Sequence, residues 1–234
     1  MTDLTTVDVI DDLLPEATRR LVRTTDALPD SAYAEASSLP GWTRGHVLAH
    51  LALNAEALAG ALRGVVEGRK VPMYASDEAR DGDIEDLAAE PPEVVRARLL
   101  AACTELKDAI DAVPDDQQDT TMERNPGGRT FPVGAVPWMR LGEVEIHHAD
   151  LDAGYDHRRW SVPFASDILE ARRARLDASS GFTAYASDID RSWTYGEGGP
   201  TVTGSVVDLA WWLTGRGDGE GLTSDGELPR IEGY

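Results

Sequence analysis

Histidine is scarce in this chain, and the placement of His46, His50, His147, His148 and His157 is where chemistry can begin. In Glu143-Val144-Glu145-Ile146-His147 a carboxylate and an imidazole stand four residues apart. On a helix that spacing puts both on one face, a few ångströms from each other. One imidazole from the pair His46 and His50 would complete a two-histidine, one-glutamate donor set. Such a set suits zinc with an open fourth position, as in catalytic rather than structural sites. The competing reading of Glu143 and His147 is a solvent-exposed helical pair worth about 0.2–0.5 kcal/mol. A di-iron site is a further alternative, since Glu145 and His148 have the Glu-x-x-His spacing of carboxylate bundles. That site needs a second such motif. The residues three before His46, His50, His147 and His157 are Thr43, Val47, Val144 and Gly154, so none exists. His46 and His50 are one turn apart and share a face, and periodicity does not choose between them.

Other chemistries find no support. The chain has no His-Glu-x-x-His motif, no Gly-x-Ser-x-Gly elbow and no phosphate-cradling glycine loop. Gly215-Arg216-Gly217-Asp218-Gly219 follows a helical pattern rather than opening one, which reads as a helix C-terminal cap. The single cysteine, Cys103, excludes an internal disulfide and a cysteine-cluster metal site, and fits a reducing cytoplasm.

The histidines must be positioned by helices. Ala17, Leu21, Thr24 and Leu28 mark a first helix, with Pro15 in its first turn. Thr43 caps a second, whose stripe is Val47, Leu51, Ala55, Leu58, Leu62 and Val65 and which stops near Gly68. A third follows Pro91-Pro92 and ends at Pro114, with Val95, Leu99, Cys103, Leu106, Ile110 and Val113 as its stripe. Cys103 therefore reads as a small buried core residue. Residues 120–136 predict a loop or short hairpin, and a fourth helix runs from about Pro137 to Leu151 with Trp138, Leu141, Val144 and Leu151 inward. Four helices of this size predict a four-helix bundle over residues 1–157. Beyond it a helix around Ser166–Asp177, strands at Phe182–Ala186, Arg191–Tyr195 and Pro200–Gly204, and a helix from Ser205 to Thr214 predict a small α+β domain over 158–234. The expected fold class is α+β overall.

The 234 residues carry 42 Asp+Glu against 22 Lys+Arg, a net charge of −20. That argues against nucleic acid, whose phosphates are held by clustered Lys and Arg, and against an anionic membrane surface. No apolar run approaches the ~20 residues of a membrane span. The N-terminus lacks the basic and apolar stretches of a signal peptide, so a cytoplasmic protein is expected, and a monomer.

Four segments resemble the mycothiol-dependent maleylpyruvate isomerases of the DinB-like superfamily. They are Gly41-Trp42-Thr43-Arg44-Gly45-His46-Val47-Leu48-Ala49-His50, Pro72-Met73-Tyr74-Ala75-Ser76-Asp77-Glu78-Ala79-Arg80, Trp138-Met139-Arg140-Leu141-Gly142-Glu143-Val144-Glu145-Ile146-His147 and Gly215-Arg216-Gly217. The first recurs across many mycothiol- and DinB-related proteins; the second and the last are more particular to the isomerase. The resemblance implies a DinB-like bundle with His50, Glu143 and His147 as metal ligands, and catalytic roles for Arg80 and Arg216. His148 stands where a smaller apolar residue is usual, and its one-residue offset turns it about 100° from the face of Glu143.

The family converts maleylpyruvate to fumarylpyruvate with mycothiol as thiol cofactor. The implied cofactors are one Zn2+ per chain and mycothiol, and the implied partner is a small-molecule dicarboxylate, with no nucleic acid and no membrane. Rotation about a C=C bond needs a nucleophile to add first, and zinc deprotonates a coordinated thiol. Arg80 and Arg216 would hold the two carboxylates and stabilise developing charge. Arg216 belongs to the C-terminal domain, so the expected site is a cleft between domains. There Zn2+ and the two arginines would meet the anionic substrate locally, since the acidic outer surface is screened beyond about 8 Å. The rival readings are a mycothiol S-transferase and a non-catalytic DinB-like binding protein.

Overall fold

A computed structural model of the chain describes residues 9–173 and 181–231. They fall into two compact units, one within Leu4–Tyr155 and one within Asp156–Tyr234. The fold is α+β, with seven α-helices among the described residues.

The first unit is helical: α1 (Leu14–Ala27), α2 (Arg44–Val66), α3 (Asp77–Ala88), α4 (Pro92–Asp111) and α5 (Val136–Asp150). Four of these are the amphipathic bundle helices. Pro15 sits in the first turn of α1, where its missing N–H costs nothing. Thr43 caps α2, and Gly68, with φ +68°, follows its end. α2 is the central helix. Leu48, Leu51, Ala52, Ala55, Leu58 and Ala59 are fully buried, while Glu56 and Arg63 on the other side pair with Arg98 and Glu105 of α4. Its alanines meet Ala102, Leu106 and Ala109 of α4, and small side chains on both helices allow close approach. Met122 and Phe131, opposite each other in the antiparallel hairpin β1 (Thr121–Glu123) and β2 (Thr130–Pro132), close the same core.

Two sequence expectations change here. The α4 core runs through Val95, Leu99, Ala102, Leu106 and Ala109, so its buried line passes one residue before Cys103. Cys103 is half-buried, at the wall of an apolar groove shared with Ile10, Leu14 and Leu100, and its sulfur lies 3.7 Å from Nη2 of Arg140. Helix α3 is additional. Only Ile84 and Leu87 of it are buried, too few to show a periodic stripe.

The second unit holds α6 (Val162–Arg173), β3 (Phe182–Ala186), β4 (Arg191–Tyr195), β5 (Thr201–Gly204), α7 (Val206–Leu213) and β6 (Thr223–Ser224). Residues 174–177 of the expected Ser166–Asp177 helix lie outside the described residues. The sheet order is β4-β3-β5-β6, with β3 antiparallel to β4, parallel to β5, and β5 antiparallel to β6. Alternation buries Phe182, Ala184 and Ala186 on one face, where Trp212 meets Phe182 edge-on at 5.2 Å. Tyr195 donates from its hydroxyl to the Leu169 carbonyl at 2.7 Å, tying β4 to α6. Just past the end of α7, Gly215 has φ +77°, the left-handed cap expected of Gly215-Arg216-Gly217. No helix among the described residues is long and apolar enough to cross a membrane.

Candidate metal centre

The first turn of α2 separates the two histidines that periodicity leaves equivalent. Thr43 Oγ1 accepts from His46 N at 3.4 Å, and His46 Nδ1 accepts from Thr43 N at 3.2 Å. This reciprocal capping box occupies His46 in capping the start of the helix, and its Nε2 lies 3.2 Å from exposed Glu85. His50, one turn further along, is buried and faces α5. Its Nε2 is 2.9 Å from Glu143 Oε2, and His147 Nε2 is 3.4 Å from the same oxygen. One donor atom from each of His50, Glu143 and His147 falls within 4.8 Å of the others.

The rings are oriented from behind. His147 Nδ1 donates to Asp150 Oδ2 at 2.9 Å, and Asp150 is wholly buried. Asp150 accepts in turn from the Ser38 hydroxyl at 3.3 Å. With the proton fixed on Nδ1, the Nε2 lone pair of His147 points at an electron-rich carboxylate oxygen. Only a cation reconciles the two, either a proton or a metal ion. The titration directions agree. Burial opposes charge on His147, but hydrogen bonds with Asp150 and Glu143 outweigh it and raise its pKa. Burial pushes Glu143 up, yet hydrogen bonds from His147 and His50 hold it well below the usual carboxylate range. For His50 burial wins over the attraction of Glu143 and lowers its pKa. Two imidazole nitrogens and one carboxylate oxygen converging with a carboxylate behind one ring form a donor set of the kind zinc takes.

Arg80, on α3 behind its Ser76 cap, donates to His50 Nδ1 at 3.3 Å and to Asp81 at 2.6 Å. Ligation through His50 Nε2 needs the ring proton on Nδ1, so Arg80 and a metal ion compete for this imidazole. Arg80, His50 and Glu143 line a cleft enclosing about 470 Å3 of space open to solvent. Arg124 and Arg129 of the β1–β2 hairpin line it too, as do Asn54 and Tyr74. Three arginines in one cleft stand out in a chain of net charge −20.

The remaining sequence candidates have partners of their own. His148 is buried against α1, with Nε2 2.7 Å from Thr24 Oγ1 and its ring stacked 3.7 Å from Tyr155. Glu145 on the same side accepts from Arg20 at 2.6 Å, so the Glu145–His148 spacing serves packing between helices. His157 lies in the second unit, 2.8 Å from Asp208 and stacked on Trp211. Arg216 is also in the second unit, donating to the Thr214 carbonyl at 3.2 Å with its guanidinium over Trp211. Asp150, Asn54, Tyr74, Arg124 and Arg129 were missed as site residues. Asp150 and Asn54 had a signal, three residues after His147 and four after His50, where one helix face repeats.

A family model described as the mycothiol maleylpyruvate isomerase N-terminal domain matches residues 14–152. Two solved structures match over 100% of both chains at 26% identity. One is described as the mycothiol-dependent maleylpyruvate isomerase, with a TM-score of 0.90, and the other as a histidine-to-alanine mutant of it, with 0.88. No curated protein sequence matches the chain.

Proposed function

Since this chain belongs to the mycothiol maleylpyruvate isomerase family, we propose that it converts maleylpyruvate to fumarylpyruvate, with mycothiol as thiol and one zinc ion per chain. The observation that carries the zinc reading is the convergence of His50, Glu143 and His147 on one point, with Asp150 fixing the tautomer of His147. Zinc and mycothiol bound together would supply a thiolate at neutral pH, the nucleophile that turns the C=C bond into one able to rotate.

The chain's own residues then have separable tasks. His50, Glu143 and His147 would hold the metal and leave room for an external thiol as a further ligand. Asp150 keeps the His147 proton on Nδ1 and thereby presents Nε2. With the His50 proton on Nδ1, as ligation through Nε2 would require, Arg80 would be free of His50, and its guanidinium would suit a substrate carboxylate in two parallel hydrogen bonds. Arg124 and Arg129 add positive charge around the same cleft. The family resemblance gives Arg216 a catalytic role as well. The half-buried Cys103 takes no part, because the thiol is external.

Isomerisation of maleylpyruvate by the zinc-loaded protein, with mycothiol present and then omitted, tests this reading. Turnover that requires the thiol supports it. Turnover unchanged without any thiol rejects it.

A further inference from the structure

Pro72-Met73-Tyr74 has no task in the scheme above, yet it is pinned in place. Met73 N donates to the Glu123 carbonyl at 3.0 Å and Tyr74 N to the Arg124 carbonyl at 2.9 Å, so this segment is laid along the β1–β2 hairpin. The Tyr74 ring carries a guanidinium on each of two approaches, Arg80 at 6.0 Å and Arg124 at 5.5 Å. Its side chain lines the cleft beside His50 and Glu143.

The phenol is aimed by a relay that starts inside the bundle. Arg140 on α5 is 2% exposed, and its Nη1 donates to the Leu51 carbonyl at 2.9 Å and to Asn54 Oδ1 at 2.8 Å. With Oδ1 committed to the guanidinium, the Asn54 amide can present only its NH2 group in the other direction. Asn54 and Tyr74 line the same cleft, and the Asn54 side chain acts electrostatically on the phenol. A phenol oxygen that accepts from an amide keeps its own O–H for a second partner. Burial, with the charge of Glu143, raises the Tyr74 pKa, so the phenol stays protonated.

We propose that Tyr74 is a catalytic residue whose O–H donates to the substrate ketone oxygen conjugated with the C=C bond, and that Asn54 and Arg140 are the positioning residues that aim it. The assignment rests on the isomerase reading. When the thiol sulfur adds, the C–S bond forms, the C=C pair shifts to the bond beside the ketone carbon, and the C=O π pair moves onto that oxygen. When the sulfur leaves, the C–S bond breaks and the pairs return. Tyr74 keeps its proton throughout and supplies a hydrogen bond that is strongest while the oxygen is negative. A donor aimed at developing charge raises kcat rather than ground-state affinity.

The test uses the zinc-loaded protein and its Tyr74→Phe variant. With zinc content unchanged, Tyr74→Phe is expected to lower kcat about 10–100-fold with KM within about twofold, the loss of one hydrogen bond to a charged oxygen. Calorimetric binding of acetopyruvate, a 2,4-diketo acid with no C=C, at a pH where it is ionised to an enolate with charge on the same oxygen, should weaken about 10-fold. Asn54→Ala should lower kcat, but adding it to Tyr74→Phe should cost little more, because the two act through one group. Unchanged kcat and unchanged acetopyruvate binding in Tyr74→Phe overturn the assignment of Tyr74. Fully additive losses overturn the aiming role of Asn54. A wild-type protein that does not isomerise maleylpyruvate defeats the isomerase reading, and acetopyruvate binding still decides whether Tyr74 holds the ketone.

Discussion

His147 Nδ1 lies 2.9 Å from the carboxylate of Asp150, while Nε2 of the same ring lies 3.4 Å from Glu143 Oε2. The buried carboxylate behind the ring decides which nitrogen faces the metal position. Asp150→Asn keeps the shape but lets the ring take either tautomer. It is expected to weaken zinc about 10–100-fold, measured by competition with a chromogenic chelator. Equal affinities would show that Asp150 does not set the tautomer.

His46 and His50 should separate cleanly. His50→Ala should abolish stoichiometric zinc, because two protein ligands remain of the three. His46→Ala should keep zinc and lose about 0.5–1 kcal/mol of stability with the capping box, read by urea unfolding. The reverse pattern would exchange their roles.

Arg80→Met removes the donor on His50 Nδ1 and the nearest cation of the cleft at once. Zinc affinity should hold or rise, while kcat/KM falls by about 100-fold or more, the size of one lost charge-assisted contact. Arg216→Ala should likewise lose turnover with zinc retained. A parallel loss of zinc in Arg80→Met would mean that Arg80 supports the metal site instead.

How much of this was legible beforehand differs by element. The strands at Phe182–Ala186 and Arg191–Tyr195 could be read to the residue, because alternating aromatic and polar positions sit between Asp and Gly turns. Helix α3 was not, since two buried residues make no stripe. Cys103 was misplaced by one position because 3.6-residue periodicity tolerates a neighbouring line, Ala102 and Ala109 in place of Cys103 and Ile110. At the site, spacing put Glu143 and His147 on one face but read equally as a solvent-exposed pair, and the resemblance carried their role as ligands. His50 over His46 was not legible from spacing, because cap geometry decides it, and Tyr74 was not, because its partners come from α2 and the hairpin.

Asp167, on α6 in the second unit, gives a pH signature of its own. Burial, with Glu170 nearby, raises its pKa from 3.8 to about 6. The folded value exceeds the unfolded one, so the associated stability is present below about pH 4 and lost as pH rises through 6. At neutral pH Asp167→Asn should therefore stabilise the protein, by about 1 kcal/mol once solvent screening is allowed for. The gain should vanish below pH 4 in thermal unfolding series. A gain independent of pH would remove titration as its cause.

The central claim is isomerisation through a borrowed thiol at the His50, Glu143 and His147 centre. The most direct measurement mixes zinc-loaded protein with maleylpyruvate and a sub-stoichiometric amount of mycothiol, then follows both fumarylpyruvate and the thiol. The account predicts that fumarylpyruvate accumulates well beyond the mycothiol supplied, that the thiol is recovered unconsumed, and that His50→Ala stops the reaction. Stoichiometric consumption of mycothiol into a stable conjugate, with no fumarylpyruvate, would contradict it and identify an S-transferase instead.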